Sequence, residues 1–417
     1  QYSTVKQHGS DVNVGGTLKV TAQRDVSVVA SNVEAKGNVD INAKGDLTIS
    51  SAADESHASG WNKKFRAEED HVAQQSSVIK AGGSLTLNAD KDLNLIASHV
   101  KSGGEAFVYA GDDLNLLTAD NLDHSFYTKT KKGDFGKKKS VMTESESITS
   151  VSSSIESGSK LVMSAGQDIN AQGAKVRADG TLLATAGHDI NLDVAEDYAS
   201  QASASSKKNW KSSKSNSAEA TQTRLNSTEW VAKSMELKAD NDITLKAASL
   251  RAADEIKLTA ANDVFIGAAQ ETQTSSQSQS SSKTGATITG LLSNTQKSQQ
   301  GQQTSTESIG SDISAGSLQI KSGRDTVVEG STLVADKNIG INAGRNLEVI
   351  SAENTTTASS SSGNKKVGEI GSWWQGATGI VKTKESDQST TTRQSGSQIA
   401  SLGGNILLTS VNKLIDW

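Results

Sequence analysis

"AGGSLTLNADKDLNLIAS" (residues 81–98) decides how the whole chain is read. Apolar residues fall at Leu85 and Leu87 and again at Leu93 and Leu95, with polar residues between them and Gly, Asn and Asp in the breaks. Apolar at i and i+2 marks a half-buried strand, because successive side chains of a strand point to opposite faces. The same phrase returns as "VGGTLKVTAQRDVSVVAS" at 14, "ESGSKLVMSAGQDINAQG" at 156 and "VAKSMELKADNDITLKAA" at 231. A phrase that recurs at intervals signals a repeat architecture, which settles the fold before any local detail.

The copies align on Leu18, Leu85, Leu161, Met235, Leu318 and Ile406, at irregular separations of 67, 76, 74, 83 and 88 residues. Inside each copy the spacing is fixed. Eight residues on stand Val26, Leu93, Ile169, Ile243, Thr326 and Leu414, and at plus fifteen Val33, Val100, Val176, Leu250 and Leu333. Plus twenty-one brings Val39, Ala106, Leu182, Ile256 and Ile339, and plus twenty-nine Leu47, Leu114, Ile190, Val264 and Leu347. The unit is therefore about 21 residues with three short strands, and a helical spacing of three and four is absent. The expected fold is all-β: a solenoid of three-sided coils, each burying its apolar residues inward and hydrogen-bonding to the coils above and below. Thr326 is the one polar residue among the main inward slots.

Each block holds one full coil and two sides of a second. Where the third side belongs, the chain departs into long Ser/Thr-rich excursions, at about 50–79, 118–155, 193–230, 268–312 and 351–399. Polar arms around a Gly/Lys middle read as β-hairpins. Hairpins leaving every second coil emerge about 9.6 Å apart, two strand spacings, so neighbours are expected to pair into a side sheet along the solenoid. Such stacking would supply what an isolated hairpin lacks in water. Residues 1–10 read as the returning arm of an earlier hairpin, and the chain stops inside a coil at Trp417, so one solenoid segment of a longer array is expected over 1–417.

Composition excludes several classes. There is no cysteine, hence no disulfide or thiolate chemistry, and no proline. A net charge of −5 over 417 residues provides no global field that would draw nucleic acid or an anionic membrane. No apolar run reaches the ~18–20 residues that span a bilayer as a helix, and the first residues carry no signal-peptide pattern.

Catalytic and metal chemistry finds no support in the residues. Asp25, Asp92, Asp168, Asp242 and Asp325 each precede the second strand, but one acid per corner among Lys, Arg, Gln and Asn suits corner hydrogen bonding better than calcium, which needs several converging oxygens. His188 reads as a solvated corner, and His57 and His71, on one hairpin, as two exposed residues placed to face each other. No nucleophile elbow, phosphate loop or metal-ligand spacing occurs. Polysaccharide lyases share β-helical folds, but no acid/base group gathers here, and fold alone assigns no activity. No catalytic residue, cofactor or metal ligand is expected.

The hairpin tips vary, and they carry the interest: "WNKKFR" (61–66), "KKGDFGKKKS" (131–140), "KKNWKSSK" (207–214), "KTGATITGLL" (283–292) and "NKKVGEIGSWWQGATG" (364–379). Candidate interaction residues are Trp61, Lys63, Lys64 and Phe65; Phe135, Lys137, Lys138 and Lys139; Lys207, Lys208 and Trp210; and Lys365, Lys366, Trp373 and Trp374. Lysine beside exposed aromatics suits a membrane interface or an anionic glycan such as lipopolysaccharide. The competing reading is that aromatics pack tip to tip while lysines keep sheet edges soluble. The arms are polar on both faces and lack the apolar band of a membrane barrel.

"GGSLTLNADKDLNLI", "DGTLLATAGHDINL" and "AGSLQIKSGRDTVV", linked by Ser/Thr-rich hairpins, resemble the haemagglutinin repeats of filamentous haemagglutinin-like exoproteins exported by two-partner secretion. With large excursions at every second coil, the chain most resembles the second repeat region of contact-dependent growth-inhibition (CdiA-like) effectors. The resemblance spans essentially all 417 residues. It implies a right-handed β-helix, secreted to the surface of a Gram-negative cell through an outer-membrane transporter partner. It further implies a non-enzymatic structural or delivery segment that engages the target-cell outer membrane during toxin delivery. The alternative within the same superfamily is an adhesin stalk whose tips bind host or bacterial glycan or lipid, lipopolysaccharide, or a surface protein. A monomeric filament segment with no nucleic-acid partner is expected.

Overall fold

The computed structural model describes residues 1–286, 292–370 and 377–414, and no helix occurs among them. Short strands stack in parallel on three faces. On the first face Leu18 pairs with Val39, and the column continues through Leu85, Ala106, Leu161, Leu182, Met235, Ile256, Leu318 and Ile339 to Ile406. On the second, Val26, Leu47, Leu93, Leu114, Ile169, Ile190, Ile243, Val264, Thr326, Leu347 and Leu414 stand in one column. The third carries Val12, Val33, Ile79, Val100, Ile155, Val176, Trp230, Leu250, Ile313, Leu333 and Ile399. The all-β fold with long parallel sheets is consistent with the β-solenoid class expected from the repeats. Between these columns lies one continuous apolar core.

Partners 21 residues apart face each other because the pleat and the core agree on register. A slip of one residue would turn every apolar side chain outward. The polar exception on the second face is satisfied locally. Buried Thr326 bonds through its hydroxyl to Ser322 at 2.9 Å, and Ser322 occupies the slot that Ala260 and Ala343 fill in adjoining coils.

A separate sheet, antiparallel throughout, runs beside the solenoid. Its paired arms are Ala52–Asn62 with Phe65–Gln75, Ala119–Lys132 with Lys138–Val151, and Ala195–Lys208 with Ser212–Asn226. Ala269–Ala286 with Leu292–Ile309 and Ala352–Ile370 with Ala377–Ser395 complete the set. We number these hairpins 1 to 5. Each pairs with the next, and Tyr2–Val5 pairs with the first arm. Cross-strand hydroxyl pairs hold the polar arms together, among them Ser140–Ser206 at 2.6 Å, Ser215–Ser280 at 2.7 Å and Ser125–Ser145 at 2.8 Å. The arms lengthen from 11 to 19 residues along the array, so the outer edge climbs by about 27 Å at ~3.4 Å per residue.

Each arm pair is inserted at one corner. In uninterrupted coils that corner is turned by a single left-handed residue: Ala30, Ala97 and Ala247, with φ of 45 to 48°, or Gly173 and Gly330. In the intervening coils the hairpin takes the place of that residue. A hydroxyl two residues past each returning arm then closes the neck. Ser77 donates to the Ser50 carbonyl at 2.7 Å, Thr228 to Asp193 at 2.6 Å, Ser311 to Gly267 at 2.8 Å and Ser397 to Ile350 at 2.7 Å, while Ser153 donates to Leu117. Ser77, Ser153, Thr228 and Ser311 are buried, and the hydroxyls of Ser77, Thr228, Ser311 and Ser397 also accept a backbone N–H from the preceding coil.

Candidate functional site

Three kinds of polar constellation stand out: a corner ladder, a histidine–aspartate clasp and the hairpin tips. The ladder uses the corner acids named from the sequence, and adds the acids between them. Asp25 accepts the backbone N–H of Asp46, Asp92 that of Asp113, Asp113 that of Asp168, and Asp168 that of Asp189. It continues through Asp189, Asp242 and Asp263 to Asp325, which accepts from Asn346. Each carboxylate is thus committed to a corner amide of the following coil. At Asp325 the Arg345 guanidinium adds a two-pronged ion pair, which holds the carboxyl below its ordinary range. His188 donates toward Asp168 at 3.0 Å and lies 3.1 Å from Asp189, and these acids raise its pKa above that of free imidazole. A parallel row of asparagine side chains, Asn94, Asn115, Asn170 and Asn191, links coils at 2.9 to 3.0 Å on the second face.

His57 and His71 do not face each other. The arms of hairpin 1 are registered so that His57 lies opposite Asp70 and His71 opposite Ser56, which places the two imidazoles on opposite faces of the sheet. The dipeptides Asp70-His71 and Asp123-His124 pair antiparallel between hairpins 1 and 2. Asp70 therefore meets His124 at 3.3 Å on one face, and Asp123 meets His71 at 2.5 Å on the other. Asp70 also accepts from His57, and the two imidazoles hold its carboxyl below the ordinary range, His57 contributing most. The repeated Asp-His pair was the signal for this clasp in the sequence.

At the tips, Trp61 is 82%, Phe135 84% and Trp210 75% exposed. Lys63 and Lys64 lie exposed in the turn of hairpin 1, while Phe65 packs edge-on against Tyr127 of hairpin 2 at 5.6 Å and is half-buried. Phe135 sits in a left-handed turn at φ 57°. The Trp210 ring carries the Lys211 ammonium 4.4 Å from its centroid. Lys137, Lys138, Lys139, Lys207 and Lys208 are exposed, as is Lys366, with Lys365 half-buried. Register brings Lys138 opposite Lys208 and Lys139 opposite Lys207, so the tips of hairpins 2 and 3 end level. Trp373 and Trp374 lie outside the described residues.

The structure also shows polar residues that the sequence reading passed over. The third residue of every outgoing arm accepts a backbone N–H from the preceding returning strand: Asp54 from Gln7, Asn121 from Gln74, Asp197 from Ser150, Glu271 from Leu225 and Asn354 from Ser308. Its signal is the recurring Ala-x-Asp/Asn/Glu that opens each arm. This acceptor seats each hairpin against its predecessor before the regular edge-to-edge ladder begins.

These coils and corners can be set beside known proteins. The family model described as "Hemagglutinin repeat" matches residues 1–71, 65–136, 134–212 and 208–366. The chain belongs to the hemagglutinin-repeat family. Among curated proteins it is 28% identical over 161 residues to a tRNA nuclease, CdiA-2, of Burkholderia pseudomallei strain 1026b, an overlap of 38% of this chain and 5% of that protein. It is 36% identical over 110 residues to the toxin CdiA of Yersinia pestis, covering 26% of this chain and 3% of the relative. A tRNA nuclease CdiA of Escherichia coli strain STEC_O31 is 29% identical over 170 residues, 40% of this chain and 5% of that protein. The chain thus aligns with about a twentieth or less of these relatives' lengths, so the activities in their names describe far larger proteins. The matched part here is a hemagglutinin-repeat region, a structural segment. No solved structure matches it.

Proposed function

We propose that this chain is a non-enzymatic delivery segment of a secreted bacterial surface exoprotein, one that engages the target-cell outer membrane while a toxin carried elsewhere in the protein is delivered. In this reading the segment is a right-handed β-helix of three-sided coils of about 21 residues, with hairpins on every second coil stacked into a side sheet. Export would require an outer-membrane transporter partner, as two-partner secretion does. The observation that carries the reading is the combination of hemagglutinin repeats along the chain with relatives named as toxins and nucleases. The stacked hairpins add to it, since they give a rigid stalk a second, polar surface along one side.

A second reading is an adhesin stalk that binds glycan or lipid through its tips, favoured by the exposure of Trp61, Phe135 and Trp210. One experiment separates the two. A full-length effector carrying this segment is compared with a version bearing Trp61→Ser, Phe135→Ser and Trp210→Ser, and cell–cell attachment and target-cell killing are scored separately. Lost killing with normal attachment supports delivery. Lost attachment supports adhesion, and a variant unchanged in both removes the tips from either role.

A further inference from the structure

The tips of hairpins 2 and 3 concentrate positive charge: Asp134 is the one acid in residues 131–140 and 207–214, and among the described residues it forms no ion pair with the lysines around it. Lys131 lies opposite Lys139, Lys139 opposite Lys207, and Lys207 opposite Lys214, a row of four lysines on four successive strands. Directly opposed residues share a face, so these ammonium stems stand side by side at about one strand spacing, ~4.8 Å. The neighbouring row, Lys132, Lys138 and Lys208, repeats the pattern on the other face. With Lys137 these lysines border a depression of about 490 Å³ that no carboxylate lines. Among the described residues, the lysines that form ion pairs are Lys19, Lys44, Lys101, Lys238, Lys246, Lys257 and Lys413, and none belongs to this group.

Like charges set directly opposite weaken strand pairing, so the rows are a local cost that the fold itself does not relieve. A second observation lies at the same tip. Phe135 adopts a left-handed conformation uncommon for a bulky side chain, and its ring is 84% exposed. Trp210, on the level tip of hairpin 3, is 75% exposed. The solenoid corners use the same conformation at Ala30, Ala97 and Ala247, so what sets Phe135 apart is the bulky ring that its turn holds out in solvent. Two open rows of lysine point charges flanked by outward aromatics match a surface that is anionic outside and apolar beneath.

We propose that the level tips of hairpins 2 and 3 form a docking surface for the phosphate-bearing headgroups of an anionic membrane, with the lysine rows on the phosphates and Phe135 and Trp210 at the headgroup–acyl boundary. Lysine binds phosphate as a point charge and needs no planar fork, and amphipathic rings settle at the interface. The assignment rests on the membrane-engaging reading above and names the chemistry of the contact. Hairpin 1 contributes less, because its tip ends lower on the fin and Phe65 is packed against Tyr127.

The test is co-sedimentation of the 417-residue chain with vesicles of phosphatidylcholine alone or with phosphatidylglycerol added, over a series of salt concentrations. Binding is expected only to the anionic vesicles and is expected to fall steeply with salt. Replacing the first row together, Lys131→Gln, Lys139→Gln, Lys207→Gln and Lys214→Gln, should weaken partition by about fivefold per lysine, a few hundredfold in all. Phe135→Ser with Trp210→Ser should weaken it less and leave the salt dependence. These residues are exposed, so unchanged circular dichroism is expected of both variants. Equal binding to neutral vesicles, or a four-glutamine variant that binds as the parent does, overturns the proposal. So does capture of soluble inorganic polyphosphate with no vesicle binding, which would assign the rows to a soluble polyanion. The effector experiment above leaves every lysine intact, so a failure there and a failure here are distinct.

Discussion

Thr228→Val offers the sharpest test of how the hairpins are held. Valine keeps the β-branch and near-volume of threonine and replaces only the hydroxyl with a methyl, so cavity formation does not confuse the result. In the structure that hydroxyl donates to the Asp193 carbonyl at 2.6 Å and accepts the Ala174 N–H at 3.3 Å, with both Thr228 and Ala174 fully buried. Asp193 keeps a second partner, since its carbonyl also accepts from Gly173 N–H at 3.1 Å. Ala174 keeps none. The loss is one hydrogen bond of about 1 kcal/mol plus an orphaned buried amide at about 1–3 kcal/mol, an expected cost of about 2–4 kcal/mol. At 1.4 kcal/mol per factor of ten, local opening of the neck becomes about 30- to 700-fold more frequent.

A solenoid with a side sheet opens locally, so global melting is a poor reporter. Amide hydrogen exchange read by mass spectrometry resolves the regions. Peptides from hairpin 3 (residues 195–226) should exchange faster by about the factor worked from the neck energetics, while those from hairpin 5 stay unchanged. Thr228→Ser keeps the hydroxyl and should restore most of the protection. Exchange in 195–226 that is unchanged by Thr228→Val, or raised equally by Thr228→Ser, refutes the neck-closing role.

Four further outcomes follow from the geometry. Ser322→Ala should destabilise by about 1–3 kcal/mol because it strands the buried Thr326 hydroxyl, whereas Ser322→Ala with Thr326→Val should be neutral or stabilising in denaturant unfolding. Gly330→Ala brings a Cβ to 2.4 Å from that of Ala352 and should cost about 1–3 kcal/mol, with only partial recovery in the pair Gly330→Ala, Ala352→Gly, because the left-handed φ of 55° and the Ala352 backbone at 3.3 Å remain. Because the pKa of Asp70 is lowered in the fold, its stabilisation is full above the ordinary carboxylate range, about 4, and is lost as pH falls through the lowered value. Asp70→Asn should therefore speed exchange between hairpins 1 and 2 at neutral pH, with the difference disappearing in acid. His188 has a raised pKa, so its contribution is full below the free-imidazole value, about 6.5, and fades as pH rises through the folded value. In an NMR titration Asp168→Asn, which removes the hydrogen-bonding acid, should bring its midpoint down.

The columns of the core were legible because they answer to one physical demand repeated many times. Leu85 and Leu93 must point inward at a fixed pleat, and any other spacing would expose them. What lies at the corners was less legible, since the same residue types serve there as turn formers, hydrogen-bond acceptors or spacers. Asp92 and Asp168 could be read as corner acids, but the equal role of Asp113 and Asp189 needed the structure, which shows their carboxylates reaching forward one coil to the amides of Asp168 and Asp242. Ser77 and Thr228 looked like ordinary members of polar excursions. Their burial follows from where the neck closes, and no local pattern of hydrophobicity reports that. His57 and His71 show the same limit from another side. Sequence separation suggested that they meet, while a register fixed by the neck puts Asp70 between His57 and His124. In such a fold the inward residues specify where the chain is, and the corner and neck residues specify where it leaves. The tips are bound by neither demand, so the lysine rows there answer either to solubility at a sheet edge or to a partner, and the vesicle experiment is what separates the two.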